Sequence, residues 1–406
     1  MNSTERPRLS VRSPGDLVVA VPYLLGFHPA DSVVVVAVRG RRVVFAARGD
    51  LPEPGADPGP AARHLAQVVV RQDADAATVI GYGPAARVTG AVDAVGEALD
   101  DAGLVVLDAL RVTDGRWWSY LCGEPACCPA DGTPYDPVAS QVSAAAVFAG
   151  QVALPDRAAL AAQVSPFDGP VRLAMRRATG RARHRLAALT GGLPPGGAAV
   201  EGHQPGGAAP GGAAPGREPA GGEPAGRAAA GGDPVGGAGG EGEPGGASSG
   251  GGPAGGRRGE ARALRSAGTA AVRAAFRRQR RGERLDDDEV AWLTVLLTHV
   301  AVRDHAWSRT DGRDADISLW TDVFRRAEPD LSAAPGTLLS FAAWRAGHGA
   351  LAAVALERVL TAHPEYPLAV LLDDALRRGV PPSELDGWPA NVGGAVLRRR
   401  RRRPPR

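Results

Sequence analysis

"SVVVVAV", Ser32–Val38, places five valines among seven residues. Branched side chains crowd a helix and suit a pleated sheet. The run is too short to span a bilayer. From Val33 to Val38 it is apolar at every position rather than at alternate ones, so the strand it predicts must be covered on both faces. "RVVFAAR", Arg42–Arg48, follows across a tight turn through Gly40, and the two strands form a hairpin. Upstream, Ser13 has the chemistry of a helix N-cap, with Pro14 at the first helical position and Asp16 at the third. That helix is expected to run to about Val21, where Pro22 kinks or ends it. Downstream, residues 59–72 and 84–102 read as helices. "TVIGY" (Thr78–Tyr82) lies between them as a strand, and "LVVLDALRVT" (Leu104–Thr113) follows as another. Asp114 and Gly115 make a second hairpin turn into "RWWSYLC", a strand ending at Cys122. Residues 1–150 therefore predict an α/β N-terminal domain, a mixed sheet with hairpins and covering helices.

Past Asp156 the strand signal disappears. "LPDRAALAAQV" and "PVRLAMRRATGRARHRLAAL" predict a helical segment over 151–189. Residues 190–257 are mostly Gly, Ala and Pro, and their only large apolar residues are Leu193, Val200 and Val235. Such a stretch cannot bury enough surface to offset ordering entropy, so it reads as a disordered linker. Helices resume near Glu260 in a second helical region, 258–384, and an Arg-rich tail, 385–406, reads as disordered. "LDDDEV" opens a helix with a capping box between Asp286 and Glu289. The same helix is expected to end at "VAVRDHAW", where Arg303 and His305 complement its dipole. Between Ala333 and Tyr366, residues Leu339, Gly347, Ala352, Leu360 and Pro364 occupy tetratricopeptide-like positions, with a capping helix from Leu368 to Arg378. One such unit cannot stand alone, and an ordinary helical hairpin fits the same residues. The whole predicts an α/β domain followed by an all-helical, tetratricopeptide-like region split by the linker.

The chain of 406 residues has 47 basic and 44 acidic side chains, and every basic one is arginine. A GC-rich genome over-uses Arg, Ala, Gly and Pro, so only local clustering of arginine counts as evidence for an anionic partner. Arg257–Arg284 holds ten arginines, and the tail has six in a row, Arg398–Arg403. Nucleic-acid phosphates or an acidic protein would suit them, as would a solvated basic face. Phe276 is the only aromatic residue in the first cluster, so base stacking is not indicated. The N-terminus lacks a basic start followed by an apolar run, and no apolar run is long enough for a membrane. A cytoplasmic protein with reduced thiols is expected.

Three motifs carry candidate chemistry. Gly81-x-Gly83-x-x-Ala86, between a strand and a helix, with Asp108 in the next strand, outlines a dinucleotide site. Pro84 removes one helix N–H there, and an ordinary strand-to-helix turn explains the glycines equally well. His28, Asp31 and Ser32 have the residue types of a hydrolytic triad but crowd into five positions, which suits a turn better. Finally, "CGEPACCPADG" contains Cys122, Cys127 and Cys128, the only cysteines of the chain. Their readings are buried thiols, a structural zinc or redox chemistry. Zinc needs a fourth ligand, which would be Glu124, Asp131 or a distant histidine. Consecutive side chains such as Cys127 and Cys128 tend to point apart, which makes joint ligation awkward.

"RSPGDLVVAVPYLLGFHPADSVVVVAV", "RWWSYLCGEPACCPADGTP", "VAVRDHAW" and "AAWRAGHGALAAVALERVL" resemble, in that order, the actinobacterial family called domain of unknown function 4192. The resemblance implies an actinobacterial cytoplasmic protein, with the Gly/Ala/Pro stretch as an insertion in a helical region. It carries no activity, ligand or catalytic residue. A non-catalytic interaction or regulatory protein, binding a protein partner through its helical region, is the leading expectation. The alternatives are a small-molecule or nucleotide-binding α/β enzyme and a nucleic-acid-binding protein.

Overall fold

A computed structural model describes residues 10–191 and 253–385, with side chains over 10–191 and 258–384. Ser13 caps α1 (Pro14–Leu25), its Oγ accepting the Asp16 N–H at 3.1 Å. The helix does not stop at Val21. Pro22 lies inside it, and the chain leaves through Gly26 at φ 83°. Proline lacks only its own N–H, so the loss is one bond to the preceding turn, and the apolar face of α1 holds the helix together around it.

The strands are β1 (Ser32–Arg39), β2 (Arg42–Asp50), β3 (Ala76–Tyr82), β4 (Val105–Thr113), β5 (Arg116–Ser119) and β6 (Thr133–Pro134). Between them lie α2 (Gly59–Val70) and α3 (Ala85–Asp101), with α4 (Gln141–Phe148) after the last strand. The sheet order is β2-β1-β3-β4-β5-β6. β3 and β4 run parallel, joined by the α3 crossover, and the other neighbours are antiparallel. Both hairpins stand as expected. The valine run is covered twice: Val33 and Val35 share a cluster with Val69, Val92 and Leu99, while Val34 and Val36 join Leu17, Val18 and Val21 of α1. Strand β5 ends at Ser119, three residues before Cys122, because the Leu121 and Cys122 N–H groups donate to Ser119 Oγ.

The helical region comprises α5 (Arg157–Gln163), α6 (Gly169–Leu189), α7 (Pro253–Arg280), α8 (Asp287–Leu296), α9 (Val300–Trp307), α10 (Asp314–Arg326), α11 (Ala333–Arg345), α12 (Gly349–Ala362) and α13 (Pro367–Arg377). The expected linker and tail fall largely outside the described residues. Helix α7 begins at Pro253, earlier than the expected restart and inside the expected linker. The capping box is present, with Asp286 accepting the Glu289 N–H and Glu289 accepting the Asp286 N–H. The helix that was to run from "LDDDEV" to "VAVRDHAW" is two helices. His299 closes a turn on Leu296 and then accepts the Val302 N–H as the start of α9. Burial of Leu296 and Leu297 on one side of the bend and Val302 and Trp307 on the other outweighs straight-helix continuity.

Gly347, at φ 83°, turns α11 into α12, and Ala352 is fully buried where they meet. The sheet and the helices share one apolar cluster that runs from Val34 and Ile80 to Trp307, Trp320 and Leu356. Phe27 bridges to Leu154, and Gln72 Nε2 donates to the Gly379 carbonyl at 2.6 Å. Arg326 is the buried ionic joint of the helices. It pairs with Asp322 and with Asp287 (3.1 Å) and donates to the Leu285 carbonyl at 2.9 Å. No helix among the described residues is long and apolar enough to cross a membrane.

Helix α9 supplies a pH dependence. Burial lowers the pKa of His299 and of His305, and Arg309 and Arg273 add repulsion at His305. A histidine whose folded pKa lies below its unfolded value binds fewer protons when folded. Its contribution is therefore complete above the unfolded pKa, about 6.5, and is lost as pH falls through the folded value. The melting temperature is expected to be lower at pH 5 than at pH 7.5, with a smaller difference in His305→Gln. Equal melting temperatures in wild type would refute the expectation.

Candidate functional site

The three thiols sit on a loop whose ends are pinned by strand β5. At its start, Ser119 Oγ donates to Asp108 Oδ1 at 2.6 Å while receiving the Leu121 and Cys122 N–H groups. At its end, Trp118 Nε1 donates to the Ala130 carbonyl at 3.1 Å, and Arg116 donates to the Asp131 and Gly132 carbonyls. Gly132, at φ 80°, lies against the Trp118 ring, where a β-carbon would clash. Between these anchors the Glu124 carbonyl accepts the N–H groups of both Cys127 (3.0 Å) and Cys128 (2.8 Å). This helical-type turn overrides the expected divergence of the two consecutive side chains. The sulfur atoms of Cys122, Cys127 and Cys128 all lie within 4.8 Å of one another.

All three cysteines are free thiols; Cys127 is exposed and the other two half-buried. The hydrogen bond from Cys128 lowers the pKa of Cys122, helped by a backbone hydrogen bond at Glu124. The same Cys122–Cys128 bond pushes Cys128 up to about 12. The Cys128 thiol thus favours a thiolate at Cys122 over one at its own sulfur. The donor set suits a soft ion: tetrahedral zinc with Zn–S of about 2.3 Å needs sulfurs about 3.8 Å apart, a spacing compatible with sulfurs that all lie within 4.8 Å. Neither Glu124 nor Asp131 joins the sulfurs, and Asp131 pairs with Arg116 at 3.2 Å. Among the described residues the cluster supplies three ligands.

The glycine turn does something else. A β-carbon on Gly81 would stand 2.7 Å from Val92 Cγ2 and 2.8 Å from Val88 Cβ, and one on Gly83 would meet Val88 Cγ1 at 3.2 Å. Both glycines let α3 approach the sheet, with Val88 packed against each. Asp108 faces Thr78 in the register, short of Gly81, and is engaged by Ser119. The structure therefore joins Asp108 to the cysteine loop rather than to the glycines. No triad forms either, since Ser32 is fully buried in β1 with an unpartnered hydroxyl. Of the first arginine cluster, Arg278 is tied to Glu289 and Glu283, and Arg284 to Asp322. The tail arginines lie outside the described residues.

Sequence reasoning passed over a cavity of about 600 Å³ beneath α1, between α4 and the end of β3. Tyr23, Tyr82 and Tyr135 line it, with His28 and Ser143. A second recess of about 750 Å³ adjoins it through Val19 and Tyr135 and holds Arg12, Asp16 and Trp117. A local signal was present in Tyr82, which ends the parallel strand β3.

A mixed sheet wrapped by helices, continued into a helical region and bearing a three-thiol loop, defines the class. The chain belongs to the family described as Domain of unknown function (DUF4192), whose profile matches residues 14–205 and 247–383. Neither a curated protein nor a solved structure matches the chain.

Proposed function

We propose that this chain is a non-catalytic interaction or regulatory protein that binds a protein partner through its helical region, with the cysteine loop held by a structural zinc ion. The observation that carries the partner reading is the end of the helical stack. Helix α13 packs Leu368, Ala369 and Leu372 inward and leaves Val370 and Leu371 exposed, at 44% and 56%. Aliphatic residues left on the outer face of a terminal helix suit another protein better than water. The stacked hairpin α11–α12 with its capping helix is read as tetratricopeptide-like, and the arginine-only composition as that of an actinobacterial, cytoplasmic protein in which the thiols stay reduced. A nucleotide-binding enzyme is disfavoured by the engagement of Asp108 with Ser119, away from the glycines, and nucleic-acid binding by the pairing of Arg278 and Arg284.

Co-purification of the tagged full chain tests the reading. A stoichiometric partner is expected, lost in Leu371→Asp while the melting temperature stays within about 2 °C, as an exposed site allows. Recovery of monomer alone across growth states, or a partner indifferent to Leu371→Asp, would count decisively against it.

A further inference from the structure

The geometry points to a binding site for a small uncharged molecule in the cavity between α1, α4 and the end of β3. Its occupant would be an aromatic or branched aliphatic compound bearing one carbonyl, amide or hydroxyl group. The site does not depend on the partner or zinc readings.

Position argues first. β3 and β4 form the parallel pair of the sheet, and the cavity opens beyond the carboxyl end of β3, where Tyr82 is the last residue. Ligands of α/β sheets bind outside the carboxyl ends of the strands, because there the loops diverge and leave a crevice. Here the turn after β3 is drawn sideways, with the Gly83 N–H donating to the Val112 carbonyl at 2.9 Å. Helix α4, returning against α1, then forms the opposite wall.

Unmade hydrogen bonds argue second. Tyr82 is 6% exposed and Ser143 8%, both line the cavity, and neither hydroxyl has a partner. Ser32, opposite Tyr82 in the antiparallel register and so on the same face of the sheet, has a third such hydroxyl. Buried hydroxyls are nearly always partnered, and the two orphans that line the cavity, on Tyr82 and Ser143, call for an occupant that hydrogen-bonds. Burial raises the pKa of Tyr82 and of Tyr135, so both remain protonated donors at neutral pH.

The absence of charge fixes the ligand class. No arginine, aspartate or glutamate lines this cavity, whereas Arg12 and Asp16 sit in the adjoining recess. Its remaining wall is valine, proline and alanine, with His28, the one basic side chain of the lining, at the exposed rim. An anion or cation placed beside Tyr82 and Ser143 would shed water with no arginine or carboxylate to offset the loss, which disfavours phosphates. A volume of about 600 Å³ falls in the range of small-molecule pockets, roughly 300–1,000 Å³.

The test uses the full chain and named probes: acetophenone, benzamide, indole and 4-methylphenol, against benzoate and indole-3-acetate as charged counterparts. Binding is read by ligand-detected NMR and thermal shift. At least one neutral probe is expected to bind saturably, with its carboxylate counterpart at least tenfold weaker. Ala144→Trp places bulk in the cavity from an exposed position of α4 and is expected to abolish that binding without lowering the melting temperature. Tyr82→Phe removes an orphan hydroxyl, so it should weaken the carbonyl probes roughly fivefold while leaving the melting temperature level or higher. Absence of saturable binding by every neutral probe at millimolar concentration would overturn the proposal. Equal binding of the carboxylates, or binding unchanged in Ala144→Trp, would overturn it too.

Discussion

Replacing Trp320 with alanine is expected to destabilise the fold by about 3–5 kcal/mol, the usual range for emptying a buried aromatic site. Trp320 is fully buried on α10, packs edge-to-face against Phe276 of α7 at 5.8 Å, and donates from Nε1 to Thr310 Oγ1 at 3.0 Å. Thr310 in turn donates to the Ala306 carbonyl at the end of α9. One side chain thus joins three helices. The loss is mostly packing, because Thr310 keeps its second partner when the indole is removed. Trp320→Phe should therefore cost less, about 1–2 kcal/mol, by keeping most of the volume and forfeiting the N–H bond. Urea denaturation followed by far-ultraviolet circular dichroism measures both. The shape of the transition is informative as well. The apolar cluster runs unbroken from the sheet into the helices, so the alanine variant should unfold in one step. Two separated transitions would show that the sheet and the helices are not one cooperative unit, and a cost below about 1 kcal/mol would show that Trp320 does not join the three helices.

The features of this fold that were legible in the sequence are those fixed by local chemistry. Ser13 and Asp16, Asp286 and Glu289, and the turns at Gly40, Asp114 and Gly347 each depend on residues within a few positions of one another. The doubly covered strand was legible because Val33–Val38 has no polar side chain to offer water. What failed was decided by packing across the chain. Pro22 is tolerated because the apolar side of α1 is clamped between the sheet and α4. The break at Leu297–His299 was invisible because its cause is the burial of Trp307 against Phe341, stacked at 3.7 Å. The partner of Asp108 was not legible, since a sequence shows its distance from Gly81 along the chain but not that Ser119, one hairpin later, reaches it. The cavity escaped for the same reason: Tyr82 and Ser143 are far apart in sequence, and neither belongs to a motif.

Cys128→Ser is expected to abolish zinc binding by the full chain and to loosen the loop between Ser119 and Gly132. The three sulfurs within 4.8 Å of one another would each supply one ligand, so the proposed site loses a third of its thiols with Cys128. Disturbing outer-shell partners alone typically costs 10–100-fold in metal affinity, so loss of a ligand should cost at least about a hundredfold. A hydroxyl cannot substitute, because zinc takes the thiolate and serine stays protonated. Thiol protons compete with the metal, so binding by the wild-type chain should weaken on acidification, up to tenfold per pH unit for each proton displaced. Ser119→Ala provides the graded control. It removes no ligand but strips the hydroxyl that holds the Cys122 N–H and Asp108 together, so its affinity should fall between wild type and Cys128→Ser. Metal analysis of protein purified without chelator, followed by zinc titration against a chromophoric chelator, measures all three. Near-stoichiometric zinc in wild type, reduced in Ser119→Ala and absent in Cys128→Ser, is the expected series. Less than about a tenth of an equivalent in wild type, after allowing for metal lost in handling, would reject the metal. The lowered pKa of Cys122 beside the proton-holding Cys128 would then point to thiol chemistry at that position instead.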